Sequence, residues 1–515
     1  MNIAAILAEQ ARLRPEAAAI IERRGTTTFA QLDDRVRRAA GLLHASGIRA
    51  GDAVLIFQPM SADLYTALLA VFRLGAIAMF LDPSAGRAHL EACCQLQPPR
   101  ALIAATKAHL LRCVSPALRK IPQKFSIGWW VPGAMPWRRW ERTAPLEECA
   151  VVASETPALL TFTSGSTGRP KAAVRTHGFL IEQHRVLARS IALEPGQVDL
   201  ATLAIFTLAN LASGVTSVIP DADLRRPGAI AAAPVLRQIR AHTINRCTAS
   251  PAFFEQLLRG DDGTLRRLQK IYTGGAPVFP TLLAALRESA PDACVEAVFG
   301  STEAEPIAHI EEREISAADR AAMLAGRGLL TGRPVAEIQL RILRDQWGRP
   351  IGPWTPEELT AASLPPGEGG EIVVSGGHVL SGYLHGHGDA ETKFRVDGTV
   401  WHRTGDAGYL DDLGRLWLLG RCTARLTDAR GTLWPFAVEC AAMNCAGVER
   451  AALTEVAGHR VLALQLAKGA EVALVTVREE LHWAALDKVR VLPKIPVDKR
   501  HNAKIDYPAL RALLR

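Results

Sequence analysis

Apolar positions recur on two different periods along this chain. Within 32–46 they fall at Leu32, Val36, Ala39, Ala40 and Leu43, the single stripe of an amphipathic helix. Short unbroken apolar runs at 53–57 and 101–104 instead predict strands buried on both faces. Helix and strand patterns alternate over most of the length, which favours parallel sheets covered by helices. The longest apolar stretch, 64–81, is interrupted by Arg73. Ser61 is placed to cap a helix that ends near Gly75, and 76–81 then form a buried strand. No transmembrane span is expected. The opening residues carry Glu9 and no basic leader, so they predict an amphipathic helix rather than a signal peptide.

Two zones break the alternation. Residues 352–370 (GPWTPEELTAASLPPGEGG) are rich in Pro, Gly and Glu and predict a surface excursion. After Gly420 the apolar run WLLG gives way to the polar, turn-prone RCTARLTDARG. A domain boundary is expected there, with a large body over 1–420 and a small domain over 421–515. A chain of 515 residues is too long for one core, and 48% hydrophobic residues exclude a disordered one. The net charge of +8 is scattered, which suits a small anionic ligand and not a nucleic-acid partner. Nine cysteines, an odd number without zinc-ribbon or paired spacings, predict buried free thiols in a reducing cytoplasm.

Residues 128–140 (GWWVPGAMPWRRW) hold four of the ten tryptophans, Trp129, Trp130, Trp137 and Trp140, with Arg138 and Arg139 among them. One reading is a contact site for a membrane surface, an acyl chain or a partner enzyme. The other, preferred because no amphipathic helix surrounds the cluster, is a loop packed onto the body by its aromatics.

The most informative string is 163–171, TSGSTGRPK, which follows an apolar strand at 158–162. Gly165 and Gly168 let the backbone approach a phosphate closely. Thr163, Ser164, Ser166 and Thr167 offer hydroxyl donors, and Lys171 adds a positive charge at the exit. The Walker A spacing is absent, and Pro170 precedes the lysine.

This string resembles the phosphate-binding loop of the adenylate-forming superfamily, which includes acyl-CoA synthetases, peptide-synthetase adenylation domains and luciferases. Other motifs follow in the family's order, so the resemblance covers nearly the whole chain. Phe299-Gly300-Ser301-Thr302-Glu303 is similar to the family's aromatic-Gly-x-Thr-Glu motif. That implies a Mg²⁺-holding role for Glu303 and a place near the α-phosphate for Thr302. Gly274-Gly275-Ala276-Pro277 resembles the segment that lies against the adenine of ATP. Arg403-Thr404-Gly405-Asp406 resembles the motif whose Asp binds the ribose hydroxyls, here Asp406. Gly420-Arg421 matches the Gly-Arg at the start of the hinge, so Arg421 is implied to reach the ribose. Gly370-Glu371, Gly376 and Gly382-Tyr383 match a further signature, assigned to structure only. His501-Asn502-Ala503-Lys504 resembles the catalytic-lysine motif, with Ala503 where relatives often carry Gly; Lys504 is the implied catalytic lysine. The implied fold is α/β: a large N-terminal body of doubly wound sheets with a smaller β subdomain, plus a small mobile C-terminal α+β domain.

The implied reaction is attack of a carboxylate on the α-phosphate of ATP, which brings two anions together. Mg²⁺, the loop hydroxyls, Lys171 and Lys504 would offset that repulsion. Two positions depart from the common pattern: Thr423, where relatives carry Asp or Lys, and Phe206-Thr207, where many carry an aromatic-His pair. Both argue against an ordinary CoA-transfer step. The strings LDPSAG (81–86), VIPDADLRRP (218–227), WHRTGDAGYLDDLGRLW (401–417) and IPVDKRHNAKI (495–505) resemble the olefin β-lactone synthetase branch. That resemblance implies a small carboxylic acid substrate, a 3-hydroxy fatty acid whose hydroxyl closes a lactone. The alternatives are an acyl-CoA or acyl-carrier ligase and a non-catalytic nucleotide- or acyl-binding relative. His177 and His309 lie near motifs as weak choices of base for the hydroxyl.

Overall fold

The computed structural model describes residues 1–515 apart from 82–85, 165–169, 473 and 499–503. The described residues form two compact units. The first comprises Met1–Asp221 and Gly377–Ala390, the second Ala222–Gly376 and Glu391–Arg515.

The first unit is built on a sheet of seven strands in the order Met135–Pro136, Gln123–Ile127, Ala101–Ala105, Ala53–Phe57, Ile77–Phe80, Pro157–Ser164, Pro170–Thr176. All neighbours are parallel except the last pair, a hairpin. Successive side chains enter two separate cores. Val54, Ile56, Ala101 and Ile103 join one, while Leu55, Phe57, Leu102 and Ala104 join the other. A sheet covered on both faces needs unbroken apolar strands, which explains the runs at 53–57 and 101–105. Beside it, Gly25–Thr28, Ala18–Glu22, Thr216–Val218 and Val198–Ala201 form a smaller run of strands.

The long apolar stretch resolves into the helix Ala62–Arg73 and the strand Ile77–Phe80. Ser61 Oγ caps the helix by accepting from the Leu64 N–H at 3.3 Å, and Gly75 takes φ +68° just beyond its end. The helix is buried all round except at Asp63, as its composition requires. Arg73 is buried too, with its guanidinium donating to the carbonyls of Leu146 and Glu147. No helix among the described residues is long and apolar enough to cross a membrane.

The second unit begins with three parallel strands, Arg246–Ala249, Lys270–Gly274 and Cys294–Ser301. It continues antiparallel through Ala304–Glu311, Leu329–Pro334, Leu416–Arg421, Thr399–Leu410, Gly370–Ser375 and Gln339–Leu343. Residues 421–515 belong to this unit and carry cores of their own. Their centre is a three-stranded sheet, Val448–Val456, His459–Leu466 and Lys488–Val491, flanked by the helices Pro435–Ala442 and Tyr507–Leu514.

One sequence expectation changes. The segment 352–370 is not a bare excursion, because it contains the helix Pro356–Ala362. Thr355 Oγ1 accepts from the Glu358 N–H, and the Glu358 carboxylate accepts from the Thr355 N–H, a reciprocal cap. All nine cysteines are free, and six of them are buried.

Candidate active site

The second unit gathers most of the residues singled out from the sequence. Gly274 ends the strand Lys270–Gly274 directly opposite Val298. A Cβ at Gly274 would lie 2.6 Å from the Val298 carbonyl oxygen, so only glycine allows the two strands to meet there. Gly275 follows at φ +80°, and Ala276 and Pro277 are half-buried beyond it. The adjoining strand ends in Phe299, Gly300 and Ser301. Thr302 and Glu303 then form the turn into Ala304–Glu311, with Ser301 paired to Ala304. Ser301 Oγ accepts from the N–H groups of Glu303 and Ala304, each at 3.2 Å, which fixes the turn and the half-buried Glu303.

Asp406 and Arg421 meet across neighbouring strands, as Cα partners in the register. Arg421 Nη1 donates to Asp406 Oδ1 at 3.2 Å and to the Thr404 carbonyl at 3.0 Å. The Asp406 carboxylate, with Glu303 adding a smaller attraction, raises the Arg421 pKa above its usual value. Asp406, Arg421 and Glu303 therefore share one electrostatic neighbourhood. Beneath them Arg403 is fully buried. It donates two parallel hydrogen bonds to Glu371, at 2.8 and 2.6 Å, and stacks on Trp347. The Gly370-Glu371 signature thus anchors the strand that carries Asp406. Gly405, at φ +72°, bends that strand between Arg403 and Asp406.

Sequence reasoning passed over His402 and Lys393, which face each other across the strands Lys393–Val396 and Thr399–Leu410. His402 Nδ1 lies 3.1 Å from the Thr392 carbonyl oxygen. A carbonyl only accepts, so Nδ1 carries the hydrogen and Nε2 presents a lone pair. Burial pushes the imidazole down to about 3, helped by Lys393 and opposed by Glu303, so the ring is neutral. The only signal in the sequence was its place in WHRTGD.

The two histidines considered as bases have other partners. His177 is completely buried and packs edge-on against Phe72. Its Nδ1 accepts from the Ile3 N–H at 3.2 Å, and burial lowers its pKa to about 4. His309 is ion-paired with Glu296, which raises its pKa, so its charged form is favoured and it is a poor base.

Lys504 precedes Ile505, which forms an antiparallel bridge with Val497. Its N–H donates to Asp498 Oδ1 at 3.0 Å, and its side chain is exposed. His501, Asn502 and Ala503 lie outside the described residues. In the first unit, Thr163 and Ser164 end the strand Pro157–Ser164, and Lys171 is paired with Thr163 across the hairpin. The end of the Lys171 side chain passes over Gly388, where a Cβ would lie 2.6–2.8 Å from Cδ, Cε and Nζ. Gly165, Ser166, Thr167 and Gly168 lie outside the described residues.

Glycine-lined strand ends beside an Asp–Arg pair and a turn carboxylate fit a nucleotide-processing enzyme, and comparison with known proteins defines which class. A family model described as AMP-binding enzyme matches residues 7–384, and the chain belongs to that family. It is an adenylate-forming enzyme of the AMP-forming ligase type. Among individual relatives, it is 34% identical over 540 aligned residues to the olefin beta-lactone synthetase of Stenotrophomonas maltophilia (strain K279a). That alignment covers 98% of this chain and 96% of the relative. The fold matches the anthranilate CoA ligase AuaEII in complex with anthranoyl-AMP, with a TM-score of 0.84 at 18% identity, over 100% of this chain and 97% of that one. It also matches ATP-bound MatB from Rhodopseudomonas palustris, with a TM-score of 0.81 at 20% identity, over 100% and 99% of the two chains.

Proposed function

We propose that this enzyme uses ATP to adenylate a 3-hydroxy fatty acid and then closes the acyl-AMP to a β-lactone, releasing AMP. The observation that carries this reading is the 34% identity to an olefin beta-lactone synthetase over almost the full length of both chains. Thr423 and the Phe206-Thr207 pair support it, because they depart from the pattern common among relatives and so argue against an ordinary CoA-transfer step.

In the first step a carboxylate oxygen of the acid bonds to the α-phosphorus and pyrophosphate leaves. In the second, the substrate's own hydroxyl oxygen bonds to the acyl carbon, the bond to AMP breaks, and the hydroxyl proton passes to water. Closure needs no thiol; it needs the hydroxyl held beside the activated carbonyl. Asp406 accepts hydrogen bonds from the ribose hydroxyls, with Arg421 beside it. The Gly274–Pro277 segment lies against the base. Lys171, the hydroxyls of 163–167 and Lys504 offset phosphate charge, and Thr302 lies near the α-phosphate. Lys504 is brought in and withdrawn by a swing of a small domain, 421–515, about Arg421.

Among the described residues no group of three or more His, Cys, Asp or Glu is arranged to hold a metal. Glu303 offers one hard carboxylate at a fixed turn, which fits Mg²⁺ as it is held by one or two carboxylates together with phosphates and water. Mg²⁺ bound there would neutralise phosphate charge.

The test is incubation with a racemic 3-hydroxy fatty acid, ATP and Mg²⁺ without CoA. Lactone and AMP are expected; product only after CoA is added would make the enzyme an acyl-CoA ligase instead. Lys504→Ala and Glu303→Ala are expected to abolish ATP–pyrophosphate exchange with the circular dichroism unchanged. Exchange near the wild-type rate in either variant would remove that residue from the reaction.

A further inference from the structure

The tryptophan-rich segment of the first unit divides into an anchored half and an exposed half. Trp137 is buried, edge-on to Phe125 at 5.9 Å, and Trp140 is half-buried against the same core. Trp129 and Trp130 project from the loop before them, 84% and 71% exposed. The packed-loop expectation therefore holds for one pair of indoles and fails for the other.

The exposed pair is presented by a backbone that is tied down. The Trp129 N–H donates to Thr106 Oγ1 at 2.8 Å, Ser126 Oγ donates to the Trp129 carbonyl at 2.8 Å, and Arg112 Nη1 donates to the Pro132 carbonyl at 3.1 Å. The Thr106 and Arg112 bonds fasten the loop to 106–114, where Leu110 and Val114 are 68% and 53% exposed. Four large exposed apolar side chains thus stand on two fastened segments that follow the strands Ala101–Ala105 and Gln123–Ile127 of the seven-stranded sheet. The chain that carries them is strongly basic: residues 106–142 contain eight Lys or Arg and one acid, Glu141, which pairs with Arg138 at 3.7 Å. Arg138 and Arg139 are both exposed.

Adjacent indoles held open to water by a fastened backbone mark an interaction site. Indoles favour the headgroup boundary of a bilayer, and clustered cations favour anionic lipid. We infer that the 106–142 edge docks the enzyme peripherally on a bilayer surface carrying anionic headgroups, with Trp129 and Trp130 entering the boundary and the flanking arginines meeting the phosphates. This inference is independent of the substrate reading, because it uses none of the residues assigned to adenylation.

The full-length enzyme should cosediment with vesicles of phosphatidylcholine plus phosphatidylglycerol, and weakly with phosphatidylcholine alone. Tryptophan fluorescence should shift to the blue on binding. Trp129→Ser with Trp130→Ser should abolish the blue shift and weaken binding about tenfold or more, and Arg138→Glu with Arg139→Glu should do the same to binding. Both double variants should retain wild-type pyrophosphate exchange, which shows that they fold. Wild-type partitioning by either double variant would overturn the proposal, as would equal binding to both vesicle types. So would a wild-type enzyme that ignores vesicles but forms an assembly that the Trp variants dissolve, which would make the edge a protein interface.

Discussion

At the scale of single residues, environment divides the histidines into different chemical species. His177 and His402 are buried and neutral, with pKa values depressed to about 4 and about 3, while the Glu296 carboxylate raises that of His309. A depressed histidine opposes folding in acid. Below its usual value of 6.5 the unfolded chain binds a proton that the folded chain refuses, so stability falls as pH drops from 6.5 towards 4. His177 alone should contribute a slope of about 1.4 kcal/mol per pH unit in that window. Buried Glu439, pushed up to about 7, works with the opposite sign between 4.5 and 7, so the total slope is not diagnostic. The diagnostic quantity is a difference: for His177→Gln, which keeps an acceptor for the Ile3 N–H, the rise of stability per pH unit measured by urea denaturation should be lower than in the wild type by about 1.4 kcal/mol. Equal slopes would mean that His177 is protonated in the folded enzyme. None of this was visible in the sequence, because Ile3, Phe72 and Thr392 reach these rings through the fold.

At the scale of elements, the proposed site is built from strand ends and turns, and glycine decides how closely they approach. The Gly274 Cβ position, 2.6 Å from a backbone oxygen of the next strand, cannot be relieved by a side-chain rotation. Gly274→Ala should separate the ends of Lys270–Gly274 and Cys294–Ser301 and cost about 1–3 kcal/mol. It should also weaken nucleotide binding, since the displaced ends carry both the 274–277 segment and the Thr302–Glu303 turn. Unchanged denaturation and unchanged ATP affinity together would show that the strands tolerate a methyl group there. The cap of Ala62–Arg73 was legible because a Ser preceding an apolar run is a local signal. The helix Pro356–Ala362 carried an equally local signal, Thr-Pro-Glu-Glu, that surrounding prolines and glycines obscured.

At the scale of the whole molecule, residues 421–515 have cores of their own and also pack on the rest of the second unit, the helix Pro435–Ala442 against Leu416–Arg421 and Ala317–Leu324, and Trp483 over Gly326. Arg425 pairs with Asp345, Arg259 with Glu449, and Phe279 meets Phe436 edge-on at 6.3 Å. An ion pair as exposed as Arg259–Glu449 contributes under about 1 kcal/mol, so it offers little resistance to the proposed swing. Arg259→Ala combined with Arg425→Ala should speed proteolytic cleavage within 421–434 while moving the melting midpoint by no more than about 2 °C. An unchanged cleavage rate would mean that neither pair restrains the segment.

Local pattern alone determined the buried strands, the capped helix after Ser61, the Gly-rich strings and the chemical class they resemble. These depend on neighbours a few residues apart, and periodicity and turn chemistry report such neighbours directly. Only the tertiary structure decided that Arg403 anchors Glu371 while Asp406 meets Arg421, that His402 presents a lone pair, and that two tryptophans of one segment are buried while two face water. Each of those outcomes is set by burial and by partners distant in the chain, and a linear sequence does not record which of them meet.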